Sequence, residues 1–264
     1  MINKFIDSGK AFDWGKTSED YAKYRDIYPT QMYEKILTYG LCTKGQKVLD
    51  LGTGTGVLPR NMYKYGADFI GTDISAEQIE QAKLLSKNAG MNIDYFVTPA
   101  ESVNFEDNSF DVVTAFTCFF YFDHEKLVEK LKHILKPNGH LLVGYLAWLP
   151  FEDKIAGKSE ELILKYNPEW SGKGETRKKI FIPDIYSESF DIVHNEFFDV
   201  KIPFTKESWT GRMKACRGVG ASLSQEKIDE FEKEHMRMLD ENTNDNFEIL
   251  HNAALVDLKL KTNL

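Results

Sequence analysis

The chain reads VLDLGTGTG from Val48 to Gly56, a short apolar run followed by three glycines in alternation. The apolar run is typical of a buried strand, and the residues after Gly56 have helical spacing. Glycines between a strand and a helix allow a tight turn and let a ligand approach the backbone closely. In open α/β sheets such a loop lies at the carboxyl ends of the strands, where ligands bind. We therefore predict a doubly wound α/β fold with a ligand site at this loop.

Strand and helix patterns alternate on both sides of the glycine loop, from about residue 30 to 145. The predicted strands are Lys47–Leu51, Asp68–Asp73, Asn92–Val97, Phe110–Phe116 and His140–Tyr145. Strands separated by helical patterns of roughly 10–15 residues indicate βαβ units and a parallel sheet. Later in the chain the patterns predict helices at Lys154–Tyr166 and from Ser224, strands at Glu196–Phe204 and Phe247–Leu260, and a mobile loop at Ser171–Lys179.

Composition and charge exclude several classes of protein. The 264 residues carry 33 basic and 41 acidic side chains, a net charge of −8, which disfavours a general nucleic-acid binder. The longest uncharged, mostly apolar runs have 11 residues, too few to span a bilayer. The three cysteines are too widely spaced for a zinc or redox motif; they are Cys42, Cys118 and Cys216. The first ten residues, Met1–Lys10, lack the apolar region of a signal peptide. We expect a cytoplasmic protein with no metal, no nucleic-acid partner and no membrane segment.

The residues around the loop limit the kind of ligand. Val57 stands where a dinucleotide fingerprint has its third glycine. Asp50 would repel a pyrophosphate and suits an ammonium group. Asp73 ends the second strand 21 residues after Gly52, where a carboxylate can accept hydrogen bonds from both ribose hydroxyls. Gly15-Lys16-Thr17 ends like a P-loop but has neither the spacing nor the preceding strand. The site fits a ligand with a ribose and a cationic, phosphate-free end.

The opening Tyr21-x-x-Tyr24-Arg25-x-x-Tyr28-Pro29 resembles that of small-molecule methyltransferases of the type 11 and trans-aconitate methyltransferase-like group. Five motifs between residues 45 and 145 resemble those of class I S-adenosylmethionine-dependent methyltransferases. They are VLDLGTGTG at 48–56, Asp73 in GTDIS, Ala100-Glu101, SFDVV at 109–113 and LKPNGH at 135–140. The resemblance implies a Rossmann-like seven-stranded sheet in the order 3-2-1-4-5-7-6, with the last strand antiparallel. It also implies an N-terminal helical lid and a helical insertion before the sixth strand.

The resemblance further implies one methyltransferase domain over residues 1–264. Its parts are a lid at 1–30, a cofactor-binding core at 45–145, a substrate-side insertion at 146–220 and a closing helix and strand at 221–264. The chain departs from the group after the fourth strand, where TCFFY at 117–121 replaces the usual Trp or His-Trp. A relative's substrate should therefore not be carried over.

Each predicted cofactor contact follows from chemistry or from the resemblance. The glycines would cradle the methionine part of S-adenosylmethionine, and Asp50 would hold its amino-acid end or organise the loop. Asp73 would hold the ribose, and Ile74 would either pack on the adenine or belong to the core. The expected cofactor residues are Tyr21, Arg25, Asp50, Gly52, Thr53, Gly54, Gly56, Asp73, Ile74, Ala100, Glu101, Thr117 and Cys118. The product would be S-adenosylhomocysteine.

The sequence identifies the residues that contact the methyl acceptor less precisely than those that contact the cofactor. Phe119, Phe120 and Tyr121 offer aromatic faces to a sulfonium, although such stripes also occur in cores. The candidates for contact with the acceptor are Tyr121, Trp209, Arg212 and Arg217. The two arginines favour an anionic acceptor unless they are surface residues paired with acids.

The function predicted is methyl transfer to a small molecule by a monomer or a homodimer, mainly through positioning. Two alternatives remain. One is an RNA or protein methyltransferase that docks through the basic cluster at 173–179. The other is a cofactor-binding module without catalysis.

Overall fold

A computed structural model describes residues 6–262; the ends of the predicted lid and closing segment, residues 1–5 and 263–264, lie outside the described residues. Within it the chain forms two compact units. The larger unit takes in Tyr28–Leu146, Lys178–Phe198 and the chain from Ala253 onward. The smaller unit takes in the chain up to Ile27, together with Ala147–Arg177 and Asp199–Asn252. The four-part division of a single domain stays a prediction.

A seven-stranded sheet has the predicted order 3-2-1-4-5-7-6. Its strands are β1 (Lys47–Leu51), β2 (Asp68–Asp73), β3 (Asp94–Val97), β4 (Phe110–Phe116), β5 (Leu135–Trp148), β6 (Phe190–Thr205) and β7 (Asn246–Leu260). Strands β1 to β5 pair in parallel, and β7 is antiparallel to both of its neighbours. The predicted fold class is therefore confirmed.

Some of the helices begin where the sequence supplies a capping side chain. The helices are α1 (Ser18–Tyr24), α2 (Thr30–Thr38), α3 (Val57–Met62), α4 (Ala76–Asn88), α5 (His124–Ile134), α6 (Lys154–Tyr166), α7 (Lys206–Lys214) and α8 (Gln225–Asn242). Ser75 accepts a hydrogen bond from the backbone of Gln78, and Asp123 accepts one from the backbone of Lys126. Each side chain satisfies a backbone N–H that the first turn of a helix leaves without a partner.

The strand bounds differ from the predicted ones at β3, which starts at Asp94 rather than Asn92, and at the sheet's later strands. Strand β5 starts at Leu135, five residues before the predicted His140, because residues 136–139 stay in the strand, with Asn138 at φ +62°. Strand β6 starts at Phe190, six residues before the predicted start. It is an edge strand, and its exposed residues 191–193 lack the alternation that marks a half-buried strand.

The smaller unit has a core built around α6, α7 and α8. Trp209, Phe231 and Leu239 are buried there. His235 is also fully buried, between Thr210 and Ser159, at distances of 2.8 and 3.0 Å. The sequence analysis did not predict that this histidine is buried, because a histidine is not apolar and does not contribute to a hydrophobic pattern.

The predicted loop at Ser171–Lys179 forms no helix or strand. The backbone N–H of Ser171 donates to Asp7 at 2.7 Å, and that of Gly174 donates to Glu160 at 2.9 Å. Arg177 forms ion pairs with Glu152 and Asp199 at 2.6 and 2.7 Å. The segment is therefore anchored at several points, and its mobility stays a prediction.

Candidate functional site

The glycine loop follows the carboxyl end of β1 and has a backbone conformation that residues with a side chain rarely adopt. Gly52 has φ +61° and Gly56 has φ +75°. A Cβ on Gly52 would lie 2.7 Å from Cys118 Sγ, and one on Gly56 would collide with the hydroxyl of Tyr95. Both glycines are thus required by packing as well as by backbone conformation.

Asp73 lies at the end of β2, next to the loop. Its Oδ2 accepts a hydrogen bond from the Gly54 N–H at 2.9 Å, and its Oδ1 accepts one from the Ser75 N–H at 2.9 Å. Burial raises the pKa of this carboxyl above its usual value, yet the side chain keeps some solvent exposure. Ile74, beside it, is 51% exposed. A partly exposed carboxylate next to an apolar side chain fits a ribose followed by an adenine.

Asp50 in β1 and Thr53 within the glycine loop are both buried. Thr114 on β4 donates its hydroxyl hydrogen to Asp50 Oδ1 at 2.6 Å, and the Thr53 N–H donates to the Thr72 carbonyl at 2.8 Å. Burial raises the pKa of Asp50 to about 7. Only 2% of Asp50 is exposed, which favours its role as an organiser of the loop over direct contact with a ligand.

We expect the buried Asp50 to make the protein less stable as pH rises. In the unfolded chain this carboxyl loses its proton near pH 3.8, but the folded protein retains the proton until about pH 7. Between these values the folded state binds more protons, so the free energy of unfolding falls with rising pH and stays lowered above pH 7. Urea unfolding from pH 4 to 8 should show this fall in the native protein and less of it in Asp50→Asn. Exposed Asp68→Asn serves as the control, and identical slopes in native and Asp50→Asn protein would contradict the expectation.

Residues after β3 and β4 complete this edge of the sheet. Ala100 is buried in a single turn at Ala100–Ser102, and Glu101 Oε1 accepts a hydrogen bond from the Asp123 N–H at 2.7 Å. Cys118 donates its thiol hydrogen to the Leu51 carbonyl at 3.1 Å. Parallel pairing of β1 with β2 and β4 brings these strand ends together. The structure thus gathers the larger unit's predicted cofactor residues at one edge.

Tyr21 and Arg25 belong to the smaller unit. The Arg25 guanidinium lies 4.5 Å from the centre of the Tyr21 ring, a cation–π contact. Their role as a lid over the cofactor stays a prediction.

The two arginines of the acceptor prediction are buried, so the alternative that they are surface residues is wrong. Arg212 lies over the Trp148 ring, 5.0 Å from its centre. Arg217 forms an ion pair with the buried Asp7 at 3.2 Å. Because Asp7 already neutralises Arg217, that arginine no longer supports an anionic acceptor. Trp209 is fully buried and donates to Ser159 Oγ at 2.9 Å, so it is a core residue of the smaller unit.

The aromatic stripe after β4 divides into core and accessible residues. Phe119 is buried against His124 and Tyr186, with ring centres 4.6 and 5.6 Å away. Phe120 is 48% exposed, and its ring centre lies 4.4 Å from that of the partly exposed Tyr121. Only the latter two can offer a face to a ligand.

Comparison with known proteins agrees with this geometry. Residues 49–143 match a family model described as a methyltransferase domain. A ubiquinone biosynthesis O-methyltransferase of Pectobacterium atrosepticum is 31% identical over 131 residues, 47% of this chain and 52% of that protein. The enzyme of the same name from Cereibacter sphaeroides strain ATCC 17023 is 27% identical over 192 residues, 69% of this chain and 74% of that protein. The chain thus spans between about half and three quarters of these relatives.

A solved structure, the YcgJ protein of Bacillus subtilis, shares the fold with a TM-score of 0.54. It is 18% identical, and the match covers 88% of this chain and 99% of that one. The strand order and the glycine loop are those that the resemblance to class I S-adenosylmethionine-dependent methyltransferases predicts, and the match of residues 49–143 to the family model agrees with that resemblance. The segment 49–143 of this chain is similar to that methyltransferase family. None of the helices within residues 6–262 is long and apolar enough to cross a membrane.

Proposed function

We propose that this protein transfers a methyl group from S-adenosylmethionine to a small-molecule acceptor. The observation that carries the proposal is Asp73, a partly exposed carboxylate beside the exposed Ile74 and the glycine loop. When bound, the cofactor supplies a methyl on a positively charged sulfur, and the C–S bond breaks with its electron pair left on sulfur as the acceptor's lone pair bonds to carbon. The relatives' name, O-methyltransferase, supports an oxygen acceptor.

The protein's part in this reaction is positioning. The glycine loop and Asp73 would orient the cofactor, while Ile74 and Glu101 would lie along its adenine. Thr117 and the accessible aromatic residues after β4 would hold the acceptor in line and exclude water. Holding two reactants in line contributes roughly 7–11 kcal/mol to catalysis in well-oriented systems. An acceptor that has already lost its proton needs no base from the protein.

The alternative of an RNA or protein substrate gains little support. Arg177, the only arginine of the basic cluster at 173–179, is held by two carboxylates, and the net charge of −8 opposes binding to phosphates.

Labelled methyl transfer into a cell extract tests the proposal. Protein and S-[methyl-³H]adenosylmethionine are incubated with extract, which is then fractionated into metabolites, RNA and protein. We expect label in the metabolite fraction, and none when Asp73→Ala replaces the native chain. Label confined to RNA or protein would overturn the small-molecule proposal. Cofactor binding by calorimetry with no label in any fraction would instead indicate a binding module.

A further inference from the structure

Two carboxylates flank the glycine loop, and no basic side chain in the described part of the chain neutralises either of them. Asp50 lies in β1 just before the loop and is only 2% exposed. Asp73 ends β2 and accepts a hydrogen bond from Gly54 within the loop. Among residues 6–262 neither carboxylate forms an ion pair with a lysine, arginine or histidine. Because a buried negative charge is costly unless a positive charge compensates it, the loop favours a cationic ligand.

The surroundings of Asp50 leave its carboxyl balanced between the protonated and the ionised form. Burial favours the protonated form most strongly, and the negative charge of Asp73 adds to this effect. Thr114 on β4 opposes both, since its hydroxyl donates to Asp50 Oδ1 at 2.6 Å and favours the ionised form. The pKa of Asp50 is thereby raised to about 7, so a change in nearby charge can remove its proton at neutral pH.

The other titratable groups around Asp50 stay neutral in this range. Cys42, Cys118 and Tyr95 each interact with its negative charge, and burial raises the pKa of each group above its usual value. Arg60 on α3 acts on Tyr95, but it is not among the groups that shift the pKa of Asp50. Asp50 can therefore change its charge near neutral pH without competition from a cysteine or tyrosine.

A ligand at the glycine loop lies within electrostatic reach of Asp50. The charge of Asp73 acts on both Asp50 and Cys118. Cys118 also packs against the loop, where a Cβ on Gly52 would lie 2.7 Å from its Sγ. Charges interact several times more strongly at a partly buried site than in water. A cation held beside Asp73 would therefore shift Asp50 toward its ionised form without touching it.

We propose that Asp50 distinguishes the positively charged methyl donor from its product, whose sulfur is neutral, by exchanging a proton for the donor's charge. This inference rests on the proposed function and assigns cofactor specificity to a residue that acts through charge alone. As the donor binds, Asp50 releases its proton to the buffer, and the resulting carboxylate stabilises the sulfonium. After methyl transfer the sulfur carries no charge, so Asp50 takes a proton back from the buffer and the product is held less tightly.

Proton counting by calorimetry tests the exchange. Binding enthalpies are measured at pH 6.5 in phosphate and in imidazole, whose ionisation enthalpies differ, so that the difference gives the number of protons released. The probes are S-adenosylmethionine, sinefungin, which has an ammonium group in place of the methylsulfonium, and S-adenosylhomocysteine, which is neutral there. Each cationic probe should release about half a proton more than S-adenosylhomocysteine. Equal release with all three probes would overturn the inference.

The preference for donor over product should also depend on pH. From pH 5 to 7 the ratio of the Kd of S-adenosylhomocysteine to that of S-adenosylmethionine should rise about tenfold, because proton release and ligand affinity are reciprocally linked. Above pH 7 the ratio should level off, since Asp50 is then ionised before the ligand binds. The two ligands share their ribose, adenine and amino-acid groups, so titration of those groups cancels in the ratio.

Substitutions show whether Asp50 is the group that exchanges the proton. In Asp50→Asn the extra proton release should vanish, and the Kd ratio should stay at every pH near the low value of the native protein at pH 5. Thr114→Val removes a hydroxyl that favours the ionised form, so its ratio should level off at a higher pH than in the native protein. Asp68→Asn, which removes an exposed carboxylate from β2, should change neither measurement. Unchanged proton release in a folded Asp50→Asn protein would show that the assignment is wrong.

Binding by the native chain separates this inference from the proposed function. Tight binding of both S-adenosylmethionine and S-adenosylhomocysteine, with a Kd ratio that does not vary with pH, would refute the inference and leave methyl transfer standing. Binding of neither ligand would refute the proposed function, and this inference with it.

Discussion

Asp73→Ala should weaken binding of S-adenosylmethionine by about a hundredfold. A hydrogen bond to a charged acceptor contributes about 1.5–3 kcal/mol, and under the proposed function this carboxylate would accept from both ribose hydroxyls. Loss of even one such bond raises Kd at least about tenfold, since 1.4 kcal/mol corresponds to that factor. The carboxylate also accepts from the N–H groups of Gly54 and Ser75, so its removal loosens the loop as well. Isothermal titration calorimetry measures the change directly.

Two further variants show whether the loss comes from the ribose contact. Asp73→Asn keeps one acceptor oxygen without the charge, and its Kd should fall between those of the native and Ala proteins. Asp68→Ala removes an exposed carboxylate from the first position of the same strand and should leave Kd unchanged. Tight binding by a folded Asp73→Ala protein would place the ribose elsewhere.

The sequence predicted the bounds of a strand or helix correctly where the hydrophobic pattern or a capping side chain marks them clearly. Strand β4 has the predicted bounds because all of its residues except Asp111 are buried and most of them favour strands. Helix α6 has the predicted bounds because Asp153 accepts two backbone hydrogen bonds at its start. The order of the seven strands came from the family resemblance, since no local pattern specifies which strands are neighbours. The early start of β6 lacked any alternation that could reveal it.

The sequence predicted which types of residue form the candidate site and at which strand ends they lie. Asp73 and the glycines could be found from spacing, but the hydrogen bond between Tyr28 and Thr117 at the end of β4 arises through tertiary folding alone. Burial of Arg212 and Arg217 was equally invisible, because a charged residue is normally at the surface and only the structure shows Asp7 beside Arg217. Sequence therefore identified the chemistry around the cofactor better than that around the acceptor.

Gly56→Ala should destabilise the protein far more than Gly40→Ala, although the two glycines share nearly the same backbone. Their φ angles are +75° and +73°, so the strain of placing an L side chain there is equal, about 1–2 kcal/mol. Around Gly40 no atom lies within 4 Å of the added Cβ, whereas at Gly56 the Cβ would meet the Tyr95 hydroxyl and lie 3.0 Å from its Cζ. Overpacking of a rigid core costs a further 1–3 kcal/mol or so.

Tyr95 cannot move away at low cost, and this makes the Gly56 effect a test of packing. Its hydroxyl is hydrogen-bonded to Ser86 at 2.9 Å, and its ring also occupies the space that a Cβ on Gly71 would need. Urea unfolding of Gly56→Ala, Tyr95→Phe and the double variant forms a thermodynamic cycle. We expect Tyr95→Phe to restore part of the stability lost in Gly56→Ala, because removing the hydroxyl relieves the shortest contact. Strictly additive effects, or equal losses at Gly40 and Gly56, would mean that the third glycine serves backbone conformation alone.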